Sequence, residues 1–109
     1  MSPFGRFQGM REAKPLDLFV PWTKAILSAQ PKLAYIHAVE GRAQGTEDVP
    51  AEIYQADVDT LQPIREVVQQ LGEGTRFVVA GGFKPELAKG HAEKYGDELV
   101  AFGRYFICE

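Results

Sequence analysis

The chain has 109 residues, with 12 Lys and Arg against 15 Asp and Glu, and a formal net charge of −3. This is one small domain, residues 1–109, whose 45% apolar content is enough to offset ordering entropy and whose mixed-sign acidity argues against nucleic-acid binding. No apolar run reaches the roughly 18 residues needed to cross a bilayer, no secretory segment opens the chain, and the one cysteine, Cys108, allows neither an intrachain disulfide nor a multi-cysteine metal site, so a cytoplasmic protein without membrane or metal is expected.

Residues 1–15 are rich in Gly, Pro and charge and read as loop. Residues 16–30 place Leu18, Phe19, Trp22, Ala25, Ile26 and Ala29 at the spacing of an amphipathic helix. Asp17 is the expected N-cap, Pro21 is expected in the first turn, and Pro31 is the stop. Residues 33–39 form a short apolar run, the pattern of a parallel strand covered on both faces. The polar residues 40–52 read as a long loop. Residues 59–71 carry Leu61, Ile64, Val67, Val68 and Leu71 on one helical face, with Asp59 and Gln62 at capping-box spacing and Gly72 as a C′ residue. Residues 75–80 read as a second covered strand, ending in Gly81-Gly82. Pro85 opens a third helix that runs to Tyr95 and stops at Gly96. Residues 98–102 form a third strand, followed by Gly103-Arg104. This alternation predicts an α/β fold with a parallel sheet of about three strands and right-handed crossovers.

Ligands in such sheets bind beyond the carboxyl ends of the strands. Gly81 and Gly82 precede a helix there, and Gly103 and Arg104 follow the next strand. Glycines let backbone N–H groups approach a phosphate, a helix N-terminus adds its dipole, and arginine can fork two bonds onto phosphate oxygens. In (β/α)8 barrels the usual phosphate site lies after strands 7 and 8. The same residues also describe a tight turn beside a surface arginine. His37, inside an apolar strand, reads as a structural histidine; His91, among charged neighbours on a helix, reads as solvated. Glu40 and Arg42 read as a local ion pair or as polar contacts to a ligand. Phe4, Phe7, Trp22, Tyr54 and Phe83 read as core or as pocket lining. Cys108 has no base beside it, and there is no Ser/His/Asp pattern, HExxH or P-loop.

Four segments in order, SPFGRFQGM, LAYIHAVEGR, FVVAGGF and ELVAFGRYFI, resemble the C-terminal part of the old yellow enzyme family, in the wording of its fungal branch. These are FMN-dependent ene-reductases that reduce activated C=C bonds with NAD(P)H on a (β/α)8 barrel. The resemblance covers about residues 2–107. It implies barrel strands 6, 7 and 8 at residues 33–39, 75–80 and 98–102, with Met1-Ser2-Pro3 just after strand 5. It also implies FMN-phosphate binding by Gly81, Gly82, Gly103 and Arg104. Strands 1–5 are absent, and with them the pair that binds the substrate carbonyl, the proton-donating tyrosine, and the threonine and glutamine at the flavin. The family arginine near the flavin falls immediately upstream of Met1. VEGR stands where the family has VEPR, and Ile107-Cys108-Glu109 replaces its usual continuation, an ending expected of a real stop codon in a truncated gene.

Three strands of a barrel have two open edges and an open inner face. The expectation is therefore a partial barrel completed by association, as a homo-oligomer or by docking onto another protein. Hydride transfer is not expected from the chain alone. The expected function is binding of a small secondary-metabolite intermediate for a non-redox step, isomerisation or cyclisation, at an oligomer interface. The alternatives are a fragment of an FMN-dependent NAD(P)H ene-reductase and a non-catalytic remnant or auxiliary subunit.

Overall fold

The structure is a computed structural model that describes residues 1–5, 9, 11–41, 43–44, 47–48 and 60–103. Its elements are α1 (Pro15–Ala29), β1 (Tyr35–Val39), β2 (Ala43–Gln44), β3 (Glu47–Asp48), α2 (Gln62–Leu71), β4 (Arg76–Ala80), α3 (Pro85–Lys94) and β5 (Leu99–Val100). β1, β4 and β5 form a parallel sheet in the order β1-β4-β5. Tyr35 pairs with Arg76, and Val79 with Val100. The α/β alternation and the parallel sheet are as the sequence predicts.

The strands are not covered on both faces. Ile36, Ala38, Phe77 and Val79 are buried and belong to one core with Leu27 of α1 and Ile64, Val67 and Val68 of α2. Their alternate neighbours point the other way: Tyr35 is 57% exposed, Leu99 56%, and His37 is also exposed. A side-chain period of two in each strand makes one face helix-packed and the other open. Continuous apolar sequence therefore marks strands meant to be covered twice, while among the described residues helices pack on one face.

α1 starts at Pro15, whose fixed φ suits the first helical position. The residue before the helix is Lys14, so Asp17 is not the cap but lies in the first turn. Pro21 lies inside the helix rather than in that turn. It is exposed, and packing of Leu16, Phe19 and Val20 against the core offsets the lost backbone bond. Thr23, fully buried, donates its hydroxyl to the Phe19 carbonyl at 2.7 Å, which satisfies that polar group within the helix. The buried stripe runs through Pro15, Thr23 and Leu27. Leu18 and Trp22 are instead exposed, at 51% and 46%, with Ala25 and Ala29 on the same stripe.

The stretch read as loop after β1 contains the short antiparallel pair β2–β3. Asp59 lies outside the described residues, and the Thr60 hydroxyl accepts the Gln62 N–H at 3.2 Å near the start of α2. Gly72 is the C-cap of α2 rather than its C′ residue, with extended backbone at φ −77° and ψ 125° in place of the left-handed turn of a glycine C′. Crowding demands glycine there: a Cβ would stand 2.7 Å from both the Val68 carbonyl oxygen and the Thr75 Cβ. At the free edge of β1, the Met1 amine donates to the His37 carbonyl at 2.7 Å and the Val39 N–H donates to the Met1 carbonyl at 3.0 Å. Met1 thus makes one parallel bridge opposite Ala38, where a further strand would run.

Candidate functional site

β4 is the central strand, so its exit is flanked by those of β1 and β5. The chain leaves β4 through Gly81 at φ 111° and Gly82 at φ 64°, both in the region that favours glycine. Two residues later Lys84 leads into α3, whose first residue is Pro85; no side chain caps this N-terminus. The Ala101 N–H donates to the Val79 carbonyl at 2.8 Å, which carries β5 along β4 to its own exit at Gly103. Gly103 is exposed, has no left-handed φ, and has open space where a Cβ would stand among the described atoms. The structure therefore brings Gly81, Gly82 and Gly103 to one end of two adjacent parallel strands. Arg104 lies outside the described residues, as do Arg42, Phe7, Tyr54 and Cys108. The one acidic residue in the first turn of α3, Glu86, already complements that helix dipole.

A second cluster lies behind this end, between α2 and α3. Arg65 forks onto the Glu98 carboxylate, Nε to Oε2 and Nη2 to Oε1 at 3.1 Å. The two side chains are 6% and 5% exposed. Nη1 donates to Gln62 Oε1 at 2.7 Å, and the guanidinium lies 4.0 Å from the centre of the Tyr95 ring. His91 Nε2 lies 3.1 Å from Glu98 Oε1. Its ring packs against Tyr95 and Phe83, with centroids 4.7 Å and 5.3 Å away. His91 is thus held in a cluster rather than solvated, because its neighbours Tyr95 and Glu98 fold back over it. A cavity of about 390 Å³ opens beside this cluster, lined by Glu40, Thr60, Glu86 and Lys94 as well as Arg65, His91 and Tyr95. The sequence reading missed Arg65, although Leu61, Arg65 and Val68 stand on one buried helical stripe, a position that forces an arginine to find a partner.

His37 faces the open side of the sheet instead of the core, because it alternates with buried Ile36 and Ala38. Burial, and after it the charge on the Met1 amine, hold its pKa below the ordinary histidine value. Of the candidate aromatics, Phe4 and Phe83 are core while Trp22 is exposed. Among the described residues no three His, Cys, Asp or Glu side chains gather as a metal site.

No protein-family model matches the chain. Chanoclavine-I aldehyde reductase of Penicillium roqueforti is 33% identical over 109 residues, covering 97% of this chain and 27% of that protein. A flavin oxidoreductase of Emericella nidulans is 30% identical over 118 residues, covering 98% and 29% respectively. A Schizosaccharomyces pombe protein whose name places it with the NADPH dehydrogenases is 33% identical, covering 99% and 25%. The chain matches the C-terminal part of the old yellow enzyme family. It spans about a quarter of the length of these relatives. The old-yellow-enzyme motifs map onto the fold in order: LAYIHAVEGR holds β1 and its exit, FVVAGGF holds β4 and its glycine turn, and ELVAFGR begins at Glu98 and runs through β5. The three-stranded parallel sheet with its helical layer is consistent with a sector of a (β/α)8 barrel.

Proposed function

We propose that the chain is the phosphate-holding sector of an old-yellow-enzyme-type flavin oxidoreductase, and that it works together with barrel strands outside it. The observation that carries this reading is the left-handed Gly81–Gly82 turn at the exit of the central strand, beside Gly103 and ahead of an uncapped helix. The fit concerns one end of FMN. Gly81, Gly82 and Gly103 offer close backbone approach to a phosphate, and Arg104 would add its guanidinium. The bound flavin would supply hydride transfer between NAD(P)H and an activated C=C bond. The chain's own residues would anchor and orient the cofactor's phosphate end.

Completion of the barrel by association is part of the same proposal. Tyr35, His37 and Leu99 lie on an open sheet face, Leu18 and Trp22 on an open helix stripe, and Met1 marks an unfinished edge of β1. An exposed apolar face joined to an open strand edge is the surface of a partner site. The occupant is the missing barrel sector, supplied by a second copy, by another protein, or by neighbouring residues of a longer chain. Among the described residues no helix is long and apolar enough to cross a membrane, and the cytoplasm is the proposed site of action.

The test is to purify the full chain, read its absorption in the flavin band, weigh it by light scattering, and mix it with NADPH and an enone. Flavin retention in an oligomer, without enone-dependent NADPH oxidation, is expected. Flavin-free compact monomers that bind no apolar dye would contradict the proposal. The cavity of about 390 Å³ favours a second reading, in which Glu86, His91 and Tyr95 hold a small metabolite for a non-redox isomerisation or cyclisation by positioning. Leu87 also lines this cavity, and on that reading Leu87→Trp, which fills it, abolishes metabolite binding and spares flavin binding.

A further inference from the structure

We infer that the cavity between α2 and α3 takes an organic ammonium ion with an apolar body, held by the carboxylates of Glu40 and Glu86. This rests on the reading in which that cavity holds a small metabolite, and it names the metabolite's chemical class.

The acidic end of the cavity lies at the carboxyl end of the sheet. Glu40 directly follows β1, and its N–H donates to the Ala80 carbonyl at 2.8 Å, which sets it beside the exit of β4. Glu86 stands in the first turn of α3. Both line the cavity, with Thr60 and Leu61 at the start of α2 beside them. Among the described residues neither carboxylate has a hydrogen bond or an ion pair of its own. A carboxylate accepts on two oxygens, so this end of the cavity offers free acceptors to a donor that a ligand would bring.

The cations that line the cavity do not use these acceptors. Arg65 is engaged by Glu98 and Gln62, and His91 Nε2 faces Glu98. Lys94 lies further along α3, about 12 Å of helix rise from Glu86. Its Nζ is 5.2 Å from the Tyr95 ring centre and pairs with no carboxylate among the described residues. Charges that far apart at a water-filled surface are largely screened. With Arg65 and Glu98 cancelling each other, the end near the sheet is acidic and selects a cation over an anion.

The rest of the wall suits an apolar body. Leu61 is buried, and Leu87 is 46% exposed although it lines the cavity, so a ligand lying on it removes apolar surface from water. Gly90 lies between Glu86 and Lys94 on the same wall. Glycine inside a helix is less stable than alanine, and a Cβ at Gly90 would meet nothing within 4 Å. Packing among the described residues therefore does not call for glycine there, and its missing side chain leaves the cavity its width.

The experiment titrates the full chain, in low salt, with phenethylammonium, phenethyl alcohol and hydrocinnamate, which share one apolar body and differ in charge. Amide nuclear magnetic resonance signals of Gly90 and Tyr95 report binding. Phenethylammonium is expected to bind roughly tenfold tighter than the alcohol, with hydrocinnamate the weakest. Glu40→Gln with Glu86→Gln brings the ammonium down to the affinity of the alcohol, and Glu73→Gln, at an exposed carboxylate that does not line the cavity, leaves the preference intact. Glu40 and Glu86 have no partners to lose, so these variants fold. Gly90→Leu weakens the ammonium and the alcohol alike without lowering the thermal midpoint. Equal affinity for ammonium and alcohol, tighter binding of hydrocinnamate, or a preference that survives the double substitution would overturn the inference and leave the cavity reading standing. Failure of all three probes to move either signal at millimolar concentration would overturn both.

Discussion

Replacing Glu98 with glutamine leaves Arg65 charged at a site where its side chain is 6% exposed. The carboxylate now accepts two guanidinium N–H groups on two oxygens. The amide keeps one acceptor and turns an NH₂ toward the other donor. Removing one partner from a buried ion pair costs about 3–5 kcal/mol. The surviving acceptor, the Gln62 bond and the Tyr95 face put this substitution at the lower end, about 3 kcal/mol. A small domain loses about 4–8 °C of melting temperature per kcal/mol, so a fall of roughly 12–24 °C is expected. Thermal and urea unfolding of the full chain, followed by far-ultraviolet circular dichroism, reads it. Adding Arg65→Met removes the stranded charge and restores part of the loss, because an apolar side chain suits the space between Tyr95 and Phe77. The Arg76–Asp97 pair, 3.6 Å apart and exposed, is the control: Asp97→Asn leaves the midpoint unchanged. A loss below about 1 kcal/mol for Glu98→Gln, the range of exposed pairs, would refute the reasoning by showing that Arg65 reaches water.

Leu27→Ala empties a fully buried position between α1 and the rest of the core, and urea unfolding should show a loss of about 2–5 kcal/mol. Gly82→Ala puts a Cβ on a residue at φ 64°, which costs about 1–2 kcal/mol in the same assay and weakens FMN binding more than riboflavin binding. The depressed pKa of His37 means that folding favours its neutral ring. That contribution is complete above about pH 6.5 and is lost as the pH falls below it, levelling off under the folded-state pKa. His37→Gln therefore flattens the acid side of the stability profile, as denaturation midpoints taken across this range would show.

The order of the elements was legible because each signal was local. Pro85 at the first position of α3, the glycines after β4, and the apolar face of α2 report on their own segments. Pro21 misled because an exposed helical proline is compensated by packing that no local rule registers. Covered strands were read correctly from composition and wrongly from context: Ile36, Ala38, Phe77 and Val79 find their helices, while Tyr35 and Leu99 stay exposed on the other face. The glycine turns were visible as spacing, and the structure adds the left-handed φ angles that explain Gly81 and Gly82. The Arg65–Glu98–His91 cluster was invisible as a unit because its members lie 33 and 7 residues apart and meet only when α2 and α3 pack onto the same sheet.

The most direct test of the central claim is a titration of the full chain with FMN and, separately, with riboflavin, which shares the isoalloxazine ring and lacks the phosphate. Flavin fluorescence quenching reads both. A chain that holds the phosphate end binds FMN clearly more tightly than riboflavin, and loses that preference in Arg104→Ala. Equal affinity for the two flavins, or a preference that survives Arg104→Ala and Gly82→Ala together, would contradict the phosphate-holding role.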